Sequence, residues 1–321
     1  MHVPFNEGVE ECGDVLRGPW RTPRQMLSAQ TYGGHASIHD DATAQRLGFR
    51  GGTIEGPTHF SQFAPLCVAA WGVRWFETGC ISAHYRSACF EGDRVRAFMN
   101  RPRDGATDST LWMERDDGTE ILRGTASVDA SNAPSEIERR LYELERLQGA
   151  VILRDVRVGM KTARYAVRMD MDRDMGPLYP FTLADKLRVI TEMSPWYTAE
   201  GASESPWKRP IIPVEMISVL LCHAQRVREF PVRGPSVALF ADQEIRLVAG
   251  PLFVGEDYDL VHEVVALSGS RRTESMWIVT RVYSPGSDAL RAMMILNSAV
   301  LKDSYANYET ERDLNPVDGS R

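Results

Sequence analysis

Residues 32–63 concentrate groups able to move protons: Tyr32, His35 and His39 come first, then Glu55, then His59. Histidine is the general acid or base most often used near neutrality, and a buried carboxylate can join it once desolvation raises its pKa. Glu55 stands in the turn Thr53-Ile54-Glu55-Gly56-Pro57. Proline at a first helical position is pre-set for a helix start, and Gly56 lets the backbone come close to a ligand. The free N–H groups and positive dipole end of such a start suit Gly56 to polarising a carbonyl oxygen. His39 would then transfer a proton on whatever that carbonyl activates, with Glu55 as a second acid–base group or as the activator of a water. A plainer role is also open to Glu55, as a helix-start carboxylate favoured by the dipole.

Two helices and a turn must position these groups. Asp40 or Asp41 can cap a brief helix over 42–47, which Gly48 closes. From Pro57 a longer helix is expected, carrying Phe60, Phe63, Ala64, Cys67, Val68 and Trp71, bent at Pro65 and ended by Gly72. Its apolar residues cover most of the circumference, as a helix wrapped by a sheet requires. Alternating runs follow at 81–85 and 90–97, and those at 111–113 and 121–128 flank Asp116-Asp117-Gly118, a hairpin turn.

The stretch resembles the MaoC-like hydratase/dehydratase family of hotdog-fold proteins. That family's pattern is Asp-x-Asn-Pro-x-His-x-Asp, then a short helix ending in Gly-Phe, then Ile-Ala-His-Gly-Met opening the central helix. His39 matches the catalytic histidine, Leu47-Gly48-Phe49 the helix end, and Thr53-Ile54-Glu55-Gly56-Pro57 the glycine turn. Gly34 occupies the position of the family's catalytic aspartate, Ala36 that of its asparagine, and Glu55 that of its turn histidine. The resemblance implies an α+β double hotdog, with two antiparallel sheets each wrapped around a long central helix. It also implies an acyl tunnel at the junction of the halves.

A weak internal repeat agrees with two halves. Ser194-Pro195-Trp196-Tyr197 lines up with Ala36-Ser37-Ile38-His39, Pro206-Trp207-Lys208 with Gly48-Phe49-Arg50, and Ile212-Pro213-Val214 with Ile54-Glu55-Gly56. Phe253-Val254-Gly255-Glu256 then matches Phe90-Glu91-Gly92-Asp93. The expected division is an N-terminal hotdog over 1–130 carrying the active-site motif, with residues 1–20 as an arm laid over it, then a linker helix over 131–154 capped by Ser135 and ended by Gly149, a degenerate hotdog over 155–302, and a loose tail over 303–321. In the second half Tyr197 takes the histidine position and Pro213-Val214 the glycine turn, so that half is expected to shape the pocket without doing chemistry.

Composition narrows the function further. A formal net charge of −7 argues against a general nucleic-acid or anionic-membrane binder, and no apolar run is long enough to span a bilayer. Five cysteines without a C-x-x-C pair fit a reduced, cytoplasmic protein, and the seven histidines show no metal-ligand spacing. The expected catalytic residues are His39, Glu55 and Gly56, with Tyr32, His35, His59, Tyr197 and Trp196 contacting substrate. The expected reaction is hydration or dehydration of an α,β-unsaturated or β-hydroxy acyl thioester, acyl-CoA above all. It needs no bound cofactor or metal, because the thioester itself acidifies the α-carbon. Alternatives are an acyl-CoA thioesterase, a silent hotdog binding an acyl or other apolar ligand, and a lyase or isomerase acting on a non-thioester metabolite. The partner is thus a small molecule, not nucleic acid or membrane, with a homodimer left open.

Overall fold

A computed structural model describes residues 4–5, 8–32, 34–129, 133–222 and 230–314. The first half begins with β1 (Glu10–Cys12) and β2 (Val15–Arg17), then the small hairpin β3 (Thr31–Tyr32) and β4 (His35–Ala36). Next come α1 (Asp41–Arg46), a 3-10 turn at Gly56–His59, α2 (Phe60–Trp71) and α3 (Arg74–Thr78). Strands β5 (Cys80–Tyr85), β6 (Val95–Asn100), β7 (Asp108–Arg115) and β8 (Glu120–Ser127) complete it. After α4 (Glu136–Tyr142) the second half runs through β9 (Tyr165–Arg168), α5 (Leu183–Leu187) and α6 (Val214–Cys222). Four long strands follow, β10 (Ala238–Leu247), β11 (Asp257–Gly269), β12 (Thr273–Tyr283) and β13 (Leu290–Leu301), and then α7 (Tyr308–Leu314).

Strand order repeats between the halves. The first runs β2-β6-β7-β8-β5 and the second β9-β11-β12-β13-β10. In place of two sheets there is one sheet of eleven strands, because β5 and β10 pair antiparallel with Ile81 opposite Ile245. Joining at these strands satisfies backbone groups that two separate sheets would leave as open edges. The repeat extends to single hydrogen bonds. Thr53 N–H donates to Ile38 O and Ile211 N–H to Trp196 O; Ile54 N–H donates to Cys89 O and Ile212 N–H to Leu252 O. Arg50 lies 4.3 Å over the Phe90 ring while reaching Asp93, and Arg209 lies 4.1 Å over Phe253 while reaching Glu256. The ungapped alignment puts Lys208 opposite Arg50; the structure gives that role to Arg209.

The helices follow their sequence signals closely. Asp40 caps α1 by accepting from Thr43 N–H, and Gly48, at φ 85°, closes the turn after it. Pro57 sits in the 3-10 turn that leads into α2, whose residues are buried except at Ala69 and Ala70. Gly72, at φ 64°, ends it with its N–H on Val68 O. α2 lies against β6 and α6 against β10, and the two helices touch each other.

Three expectations change. The linker helix stops at Tyr142: Ser135 and Glu138 form the capping box, but Leu147 N–H then pairs with Leu267 O, and strand-like pairing displaces further helix. The N-terminal arm joins the sheet through β1 and β2. The tail is docked as far as it is described: Tyr305 and Tyr308 are buried against Val151, Ile152 and Leu153, and Tyr308 O–H donates to Glu274. Residues 315–321 lie outside the described residues. Among the described residues, no helix is long and apolar enough to cross a membrane.

Candidate active site

Where the motif turn of the first half meets the sheet of the second, a cavity of about 880 Å³ opens. His39, Glu55, Gly56 and His59 line one side, with Tyr32, Gly34 and His35 from the β3–β4 hairpin region. The other side is the inner face of β12 and β13, with Met276, Ile278, Met294, Leu296 and Val300. A cavity of this size, mostly apolar with a few convergent polar groups, has the anatomy of a small-molecule site.

His39 is held by the backbone of the glycine turn. Its Nδ1 lies 2.6 Å from Thr53 O, which requires Nδ1 to carry the proton and leaves Nε2 as a lone-pair acceptor. No described residue bonds Nε2. Desolvation lowers the His39 pKa to about 4, against the smaller opposing effect of the Thr53 carbonyl, so the ring is neutral at pH 7. The same segment places Tyr32 and His35 beside each other, ring centroids 4.5 Å apart, with the Tyr32 hydroxyl oxygen accepting from Ala238 N–H of the second half.

Glu55 is nearly buried, 8% exposed, and accepts a hydrogen bond of 2.9 Å from Tyr179 O–H. Burial raises its carboxyl pKa to about 7, with Lys186 and the Tyr179 hydrogen bond pulling the other way and Glu215 pushing it up. The carboxyl therefore exists in both forms at neutrality, which is what a general acid–base group needs. Glu55 makes no side-chain cap bond to the turn. Gly56 is required for a local reason: a Cβ there would lie 2.5 Å from the Tyr85 ring. Tyr85 is fixed in turn by donating to Gln243 of β10. Among the described residues the Gly56 N–H makes no backbone hydrogen bond outside its own turn. His59 is buried with Nδ1 unpartnered among the described residues, and desolvation, then Lys186, lowers its pKa to about 4.

Tyr197 and Trp196 do not reach this cavity. Tyr197 is fully buried near Phe5, and Trp196 packs 5.6 Å from Phe76 and 5.7 Å from Trp207. They belong to the second copy of the motif, where aromatic side chains fill the equivalent space. The second half nevertheless contributes to the site. Tyr179, Lys186 and Glu215 surround Glu55, and His262 and Thr280 stand in the far wall. Sequence reasoning missed all of them. Only Glu215 had a usable signal, as a carboxylate two residues beyond the second-half position equivalent to Glu55; Lys186 looks like an ordinary residue of a capped helix.

No family model matches the chain, and no curated protein matches it in sequence. Solved structures do. One, named as a MaoC domain protein dehydratase from Chloroflexus aurantiacus J-10-fl, superposes with a TM-score of 0.57 at 13% identity, covering 91% of this chain and 95% of its own. A conserved hypothetical protein from Mycobacterium tuberculosis, described as a double hotdog fold, gives 0.52 at 11% identity, covering 91% and 97%. At such identities the likeness concerns architecture. This chain has the double hotdog fold, and in structure it resembles MaoC-like dehydratase domain proteins.

Proposed function

We propose that the chain is a hydratase/dehydratase that adds or removes water at an α,β-unsaturated or β-hydroxy acyl thioester, with acyl-CoA as the expected carrier. One observation carries this reading: a neutral imidazole with a free Nε2 and a carboxyl titrating near pH 7 share one cavity with Gly56 of the motif turn. In the hydration direction, His39 Nε2 takes a proton from water as its oxygen bonds the β-carbon. Protonated Glu55 delivers its proton to the α-carbon, and Gly56 N–H holds the thioester oxygen while enolate charge develops. The imidazolium left on His39 and the carboxylate left on Glu55 then exchange a proton through the cavity. The apolar face of β12 and β13 would take the acyl chain.

The test is a panel of enoyl-CoA and saturated acyl-CoA substrates, followed by loss of enoyl absorbance and by free-thiol release, with His39→Ala as control. Loss of absorbance without thiol, abolished by the substitution, is the expected result. Thiol release from saturated substrates would transfer the protein to the thioesterase reading, with Glu55 activating water. Saturable binding with no turnover would leave a binding protein or an enzyme for a non-thioester metabolite.

A further inference from the structure

Behind Glu55, away from the cavity, lies a buried ionic cluster that the proposed reaction does not itself use. Lys186, at the end of α5, is 4% exposed, and its ammonium lies 3.2 Å from Glu215 Oε2 and 3.2 Å from Thr58 Oγ1. Thr58 is three residues past Glu55 in the same 3-10 turn, so the ammonium is anchored to the turn that carries the acid. Glu215, 2% exposed, sits in the first turn of α6. An ammonium and a carboxylate buried together are costly in isolation, and removing either partner leaves the other uncompensated. Such a pair beside a second buried carboxyl does more than tie two helices together.

We propose that the Lys186–Glu215 ion pair, contributed by the second half, is the positioning device that sets how tightly Glu55 holds its transferable proton, the ammonium loosening it and Glu215, by engaging that ammonium, limiting the loosening. This rests on Glu55 being the acid of the proposed reaction. The charge balance makes the case. One ammonium faces two carboxyl groups in a volume with little water, and it neutralises the one it touches. Ionising Glu55 as well would leave an unbalanced negative charge, so one carboxyl of the two retains a proton. The cluster holds its proton on the member that lines the cavity.

The other groups facing Glu55 do not supply this balance. Tyr179 donates to it, and Tyr85, Cys222 and His59 are all neutral at pH 7, each held so by desolvation first. Glu192, which faces Glu215, is itself engaged by Arg21 through contacts of 2.6 and 2.9 Å. Lys186 and Glu215 are the charges left to set Glu55, and they act with opposite signs.

Opposite signs give a test that a purely structural role would not pass. The Glu55 carboxyl is titrated directly, by carbon-13 NMR of labelled glutamate or by infrared carboxyl absorption, with Glu55→Gln as the blank. Because this readout needs no turnover, it separates failure of the inference from failure of the hydratase reading. Glu215→Gln frees the ammonium to pair with Glu55 and should lower the midpoint, weakening proton affinity on the order of tenfold or more. Lys186→Met should raise it by a similar factor. In the Lys186→Met background, adding Glu215→Gln should change little, because without the ammonium the Glu215 carboxyl is itself protonated.

Where turnover is measurable, the alkaline limb of the pH–rate profile should move with the midpoint in each variant. If Lys186→Met does not fold, Glu215→Gln and the double variant, which leaves no unpaired charge, decide the matter. Midpoints that stay within a factor of two of the parent, or that move in the same direction in Glu215→Gln and in the double variant, overturn the proposal.

Discussion

The two copies of the motif turn share a backbone and differ in what stands around it. In each, one strand-like residue donates back to the segment before it and the next donates to the loop ahead, at Thr53 and Ile54 and again at Ile211 and Ile212. Around the first copy a cavity of about 880 Å³ opens. Around the second, Tyr197, Ile212 and Val214 meet Trp75, Phe76 and Ile81 and leave about 20 Å³, room for about one water. The same frame thus serves as a site in one half and as core in the other. What distinguishes them is side-chain volume: α3 brings Trp75 and Phe76 into the second site, and among the described residues nothing comparable fills the first.

The largest effects should come from disabling only the open copy. His39→Ala and Glu55→Gln are each expected to lower turnover by about 10²-fold or more, the scale of general acid–base groups. The double variant should lose less than the product of the two, as residues acting as a unit do. Steady-state rates on proteins whose thermal melting shows them folded decide this; a folded Glu55→Gln protein of normal activity removes Glu55 from the mechanism.

Next is Gly56, whose counterpart is Val214. Gly56→Ala drives a methyl into the Tyr85 ring. It should cost about 1–3 kcal/mol of stability from overpacking and displace the polarising N–H, with roughly tenfold slower turnover. Val214→Ala should leave turnover unchanged. Equal rate losses in the two variants would mean that the copies are not functionally distinct.

The pH dependence gives a smaller effect with a definite sign. Hydration needs Glu55 protonated and His39 neutral, so the rate should hold between about 4 and about 7 and fall above that. Stability behaves differently. His39, His59 and His262 titrate near 4 in the folded chain instead of near 6.5, so unfolding takes up protons in that window and stability falls as pH drops through it. Glu55 works in the opposite sense: folded it keeps its proton up to about 7, unfolded only to about 4.5, so its contribution is lost as pH rises. Melting from pH 4.5 to 6.5 should accordingly be steeper in Glu55→Gln and flatter in His39→Ala. Parallel curves for both would show that neither group carries the assigned shift.

Smallest of all should be Tyr197→Phe. The Tyr197 hydroxyl is buried with no partner among the described residues, so removing it is expected to leave turnover alone and to hold stability level or improve it slightly. A loss of substrate affinity in this variant would put Tyr197 back in the site.

Local signals in the sequence were sufficient for the elements. Asp40, Gly48, Pro57, Gly72 and the Asp116-Asp117-Gly118 turn act through contacts within a few residues, and each appears where its chemistry puts it. His39, Glu55 and Gly56 were legible as a turn with proton-moving groups, since capping and backbone freedom bring them close without help from distant chain. The repeat was legible too, because two copies of one frame need similar residues at similar spacing. That the second copy would be filled, with Tyr197 and Trp196 packed away from the cavity, was not. That depends on Trp75 and Phe76 crossing from the first half into the second, an arrangement of volumes between residues more than a hundred positions apart. The ionisation of Glu55 was equally out of reach. Its value is set by desolvation and by Tyr179, Lys186 and Glu215, which adjoin it only once the two halves share a sheet. Helix starts and turns are decided by neighbours in the chain, whereas burial and field strength are decided by neighbours in space.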